Sequence, residues 1–103
     1  MLERKYGTTR QYNSTNGVRL ASGAASSAAT ALPTMGETRE VRVHASEALW
    51  IRFGDSGVAA TLGATSIPFN AGSVEVVEVP GSATHFAVIR DSADGFVTLT
   101  PVA

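Results

Sequence analysis

The residues that could carry chemistry are few. Ser56, inside Phe53-Gly54-Asp55-Ser56-Gly57, is the serine placed most like a nucleophile. A serine hydroxyl attacks only when a base takes its proton and an acid orients that base. The chain has two histidines to offer, His44 and His85. A Gly-Asp-Ser-Gly turn between strands explains the same residues without chemistry. The histidines could also join Asp55 or Asp91 around a metal ion, but no ligand spacing supports it, and both read as ordinary strand residues. Glu75 and Glu78 flank a suspected bulge that would put them on one face. Paired carboxylates facing a cleft can hydrolyse glycosides, whereas solvent-facing charges are the simpler reading. No Gly-x-Gly-x-x-Gly or P-loop pattern occurs, and nothing calls for a cofactor. For binding, Trp50 and Arg52 share the strand face opposite Leu49 and Ile51, where an aromatic platform could take a sugar or a protein, whereas burial of both faces in a sandwich or an oligomer is the simpler reading. Tyr6 and Tyr12 with Arg4 and Arg10 interleave aromatic and basic groups near the start; nucleic acid is conceivable for so short a patch, but a protein groove suits it better.

The elements that must position these residues are strands. Val41, Val43 and Ala45 alternate with Glu40, Arg42 and His44, and Leu49, Ile51 and Phe53 alternate with Trp50 and Arg52. Shorter strands are predicted over 58–62 and 66–69, with turns at 54–57 and 70–72. Residues 73–79 are β-rich, but Val76-Val77 breaks the alternation and predicts a bulge. Residues 84–90 form a nearly continuous apolar run suited to a central strand, and Asp94-Gly95 predicts a hairpin with positive φ at the glycine before the strand 96–100. The expected core is Leu49, Ile51, Phe53, Val74, Phe86, Val88, Ile89 and Leu99. This spacing predicts an all-β fold, a small antiparallel sandwich or barrel of jelly-roll or immunoglobulin-like kind. It occupies 37–103. Residues 1–36 read as an extended arm and small-residue linker, disordered or laid on a partner with Leu20 and Leu32 as anchors.

Composition narrows the function classes. The 103 residues suit one domain. Only 17% are charged, and Ala, Ser, Thr and Gly supply 47 residues. The core is small for a free-standing body, which favours association with other copies or another protein. No apolar run is long enough for a transmembrane helix, and the start has no apolar stretch of the kind a secretory leader needs. The absence of cysteine excludes a disulfide scaffold and a thiolate zinc site. A net charge of −1 argues against non-specific nucleic-acid binding. That charge divides into a basic segment 1–20 and an acidic remainder, which suggests an arm that meets an acidic surface, a neighbouring copy for instance, although a solvated tail is the simpler reading.

Two resemblances follow from these residues. Phe53–Ser56 resembles the block that opens GDSL-type esterases, which would imply Ser56 as nucleophile. Position 57 is Gly where that family has Leu, neither histidine sits in an Asp-x-x-His, and the helical crossovers of that fold have no counterpart. The second runs through Val41–Ala45, Leu49–Asp55, Ile67–Gly72, His85–Asp91 and Phe96–Pro101. This succession is similar to that of small virion structural proteins of tailed bacteriophages. The resemblance implies a non-enzymatic β-sandwich made in the host bacterial cytoplasm and placed in the virion. Its partners would be the major capsid protein or other virion proteins, and further copies of itself, in a trimer for instance. A capsid decoration (cement) protein is the first expectation and a head–tail connector or tail accessory protein the second. A small carbohydrate-binding module using Trp50 is the expectation from another class. Under the first, Tyr6, Arg10, Tyr12, Arg19, Trp50 and Arg52 are the expected interface.

Overall fold

The computed structural model describes residues 11–102. Eight strands form two four-stranded antiparallel sheets: β1 (Val18–Ser22), β2 (Thr30–Ala31), β3 (Glu40–Ala45), β4 (Leu49–Gly54), β5 (Ile67–Phe69), β6 (Val74–Glu78), β7 (His85–Arg90) and β8 (Gly95–Pro101). One sheet has the order β1-β8-β3-β6 and the other β2-β7-β4-β5. The all-β sandwich is therefore the architecture of the chain.

Alternation builds the inner faces. Val41, Val43 and Ala45 from β3 meet Val97 and Leu99 from β8, and Leu49, Ile51, Phe86 and Val88 close the core from the second sheet. In β7, Phe86, Ala87 and Val88 are all buried, as a central strand with both faces covered requires. Phe53 is half-buried against the core, whereas Val74 and Ile89 lie outside it.

Three expectations about the elements change. Residues 58–62 form no strand. The run of small residues there has little side chain to bury and becomes part of the loop 55–66, while β5 takes the place beside β4. The bulge at Val76-Val77 is absent: β6 pairs with β3 in unbroken register, from Glu40 opposite Glu78 to His44 opposite Val74. The ladder tolerates an exposed valine at an edge more readily than the lost pairing a bulge entails. Gly95 does not take positive φ. It is small because of crowding, since a Cβ there would meet Ser46 Oγ at 2.6 Å and Glu47 Cβ at 2.9 Å. Gly72 (φ 74°) does turn the chain between β5 and β6.

The boundary at 36/37 also moves. Val18 pairs with Leu99 and Thr30 with Phe86, so β1 and β2 complete one sheet each. Leu20 and Leu32 pack on the chain's own core instead of a partner's surface. Ser27 fastens the segment between them to β7: its N–H donates to Val88 O (2.8 Å) and its Oγ accepts from Val88 N–H (3.0 Å). Small residues suit this course, because the backbone itself makes the contact.

Arg39 guards the entry to β3 with a left-handed backbone (φ 52°). Its guanidinium Nη2 donates to Pro80 O (3.0 Å) and Ala83 O (2.8 Å), tying the β6–β7 turn to the start of β3.

Candidate functional site

Trp50 stands on the outward face of the second sheet, between Ile89 and Pro68 on the neighbouring strands. Its alternation with Leu49 and Ile51 puts it there. Its Nε1–H donates to Asp91 Oδ1 (3.1 Å), which fixes the indole by its polar edge and leaves the ring half-exposed. Trp50, Pro68, Phe69, Asn70 and Asp91 line a recess of about 160 Å³. An aromatic face with a carboxylate and an amide at its rim can stack on an apolar ring face and bond its hydroxyls.

Arg52 follows on the same face and is exposed. With the 53–59 segment it borders a second recess of about 340 Å³. Ala87, opposite Arg52, is nonetheless buried. Ser26 Oγ accepts from Ala60 N–H (2.8 Å) beside it, so loop 55–66 reaches across this face to the β1–β2 segment.

Among the described residues the expected interface positions do not converge. Arg19 lies on the outward face of the other sheet, its guanidinium 3.5 Å from the centre of the Phe96 ring, and His44 tilts against the same ring at 6.2 Å. This cation–π contact accounts for Arg19 within its own body. Tyr12 is exposed and bridges to Val102, just after the end of β8. Tyr6 and Arg10 lie outside the described residues.

The catalytic alternatives find little geometry. Asp55 Oδ1 accepts from Gly57 N–H (2.9 Å) and Asp55 O from Val58 N–H (3.1 Å), so the Gly-Asp-Ser-Gly block is a turn capped by its own aspartate. A Cβ on Gly54 would come within 2.9 Å of Val58, which explains the glycine. His44 and His85 belong to different sheets, and His85 Nδ1 is bonded to Thr84 Oγ1 (2.8 Å). Among the described residues no three His, Asp or Glu side chains gather as a metal site. Without the bulge, Glu75 and Glu78 point to opposite faces of β6.

Sequence reasoning missed Asp91 as the partner of Trp50, because the two are brought together only by the β4–β7 pairing. It also missed the outward valines of β6. Their signal was in Val74-Glu-Val76, whose alternation would have shown them had the chain been taken as unbulged. Comparison with protein-family models, with curated proteins and with solved structures finds no match.

Proposed function

We propose that the chain is a structural component of a tailed-bacteriophage virion, a capsid decoration protein that stabilises the head by bridging neighbouring capsid subunits. The observation that carries this reading is the placement of the exposed large apolar side chains. Among the described residues these are Tyr12, Leu62, Ile67, Val74 and Val76, and all but Tyr12 fall within residues 62–76. Ile67 belongs to β5 and the two valines to β6, which are open-edge strands of their sheets and are joined by the turn at 70–73. Val74 is 49% exposed and Leu62 56%. A small body with an apolar margin gains burial when a neighbouring surface closes over it. The low charge of the chain fits a surface largely covered by neighbours. Residues 1–10 carry Arg4, Lys5 and Arg10 against Glu3, and supply a basic contact for an acidic partner.

The test is a count of copies in purified particles by quantitative mass spectrometry. Hundreds of copies per particle support decoration. A dozen or fewer at one vertex make it a head–tail or tail component, and absence from particles removes both readings. The recess at Trp50 favours a second reading, a carbohydrate-binding module. Glycan-array binding that disappears in Trp50→Ala would establish it.

A further inference from the structure

Among the described residues, the main-chain groups on the open edge of β6 have no partner. Val79 N–H donates to Arg39 O (2.8 Å) and Ala45 N–H to Ser73 O (3.2 Å), at the two ends of the β3–β6 ladder. Bonded and non-bonded pairs alternate along an antiparallel ladder. The C=O of Ser73, the N–H of Val79 and both main-chain groups of Glu75 and Val77 therefore turn toward β3, and Val74, Val76 and Glu78 turn theirs away from it. Sheet edges are ordinarily blunted by proline, charged side chains (lysine above all), a bulge or sheer shortness. β5 is three residues long and contains Pro68, β2 has two residues, and β1, five residues long, carries Arg19. β6 has five residues, no proline and no bulge; its charges are Glu75 and Glu78 in place of the lysine most often used, and its two outward valines are exposed.

We propose that β6 pairs antiparallel with β6 of a second copy of this chain, about a two-fold axis at Val76. An isologous strand pair sets one residue opposite itself. Centred on Glu75, two carboxylates would face each other, which is unfavourable. Centred on Val77, Val74 would face Pro80, which has no N–H to give. Centres farther out engage the turn at 70–73. Centred on Val76, Val74 faces Glu78, Glu75 faces Val77, and Val76 faces its own copy. Each outward N–H and C=O of Val74, Val76 and Glu78 then gains a partner, and no carboxylate opposes another. The charges and the main chain thus select one register for a second copy, and the β1-β8-β3-β6 sheets of the two copies become one continuous sheet. The pairing stands apart from the virion reading, since it is measured on the purified protein.

The full chain is examined by sedimentation and light scattering from micromolar to near-millimolar concentration. The expected mass rises from 10.7 kDa to twice that value. Val76→Lys, which puts a charge at the centre of the seam, shifts the dissociation constant upward at least tenfold while far-ultraviolet circular dichroism stays unchanged. Val76→Cys, in a chain otherwise without cysteine, forms a disulfide-linked dimer on mild oxidation. Glu78→Cys does not, because its two copies would lie about 13 Å apart along the seam. A chain that stays monomeric throughout, a threefold mass, or a dimer indifferent to both Val76 substitutions overturns the proposal. So does a monomer whose Val76 amide is strongly protected from hydrogen exchange, which would mean that another segment already covers the edge.

Discussion

Replacing Arg39 separates two effects that the fold combines at one residue. Arg39→Ala removes both bonds from Nη2 to Pro80 O and Ala83 O but leaves a Cβ in the left-handed region. Hydrogen bonds from a charged donor are worth about 1.5–3 kcal/mol each when sheltered. Here the Pro80 acceptor is exposed, and the buried Nε finds no acceptor among the described residues, so the low end applies. Together the two bonds amount to about 2–3 kcal/mol. Arg39→Gly loses the same bonds but relieves a left-handed backbone that costs an ordinary residue about 1–2 kcal/mol. Part of that relief is offset by the greater freedom of glycine in the unfolded chain. The glycine variant should therefore be about 1 kcal/mol more stable than the alanine variant. In urea, with a slope of about 1.3 kcal/mol per molar, the alanine midpoint falls by about 2 M and the glycine midpoint by about 1 M. Equal midpoints for the two variants would refute the backbone term. An alanine variant as stable as the parent would refute the claim that Arg39 ties the β6–β7 turn to β3.

Other consequences are testable in the same way. Leu99→Ala, at a fully buried site between β1 and β3, should lower unfolding free energy by about 3 kcal/mol or more in urea titration. Gly95→Ala should cost about 1–3 kcal/mol, because its Cβ meets Ser46 and Glu47, whereas Gly81→Ala, with open space around it, should leave the midpoint nearly unchanged. Deleting residues 1–10 should keep the sandwich folded by circular dichroism, while deleting 1–36 should abolish its cooperative transition, since β1 and β2 go with it. Asp91→Ala frees the indole N–H of the single tryptophan and should shift its emission to longer wavelength without moving the urea midpoint by more than about 0.5 M.

How much of this was legible in the sequence depends on side-chain size. β3, β4, β7 and β8 carry Val, Leu, Ile and Phe at alternating or continuous positions, and hydrophobic periodicity finds such strands. β1 and β2 hold on through main-chain pairing and a few anchors such as Leu20, and a run of Ala, Ser, Thr and Gly has no periodicity to detect. At β6 the difficulty was different. Val76-Val77 reads as a fault in the pattern only if every valine must face inward, and an edge strand is under no such obligation. The recess at Trp50 was half legible. The indole's face follows from alternation within β4, but Asp91 reaches it from beyond β7, and no local pattern encodes that meeting.

The pairing of β1 with β8 has a kinetic meaning as well as a structural one. Val18 meets Leu99 across this ladder, and β3 lies on the other flank of β8. A nascent chain therefore leaves the ribosome with β1 and β3 each lacking a neighbour until residues 95–101 have emerged. Closing such distant ends comes late in entropy terms and slows folding relative to proteins built from local contacts. Until that moment the exposed strands depend on their own weak stickiness for safety. A segment poor in large apolar groups, such as the one that holds β1 and β2, is well suited to waiting.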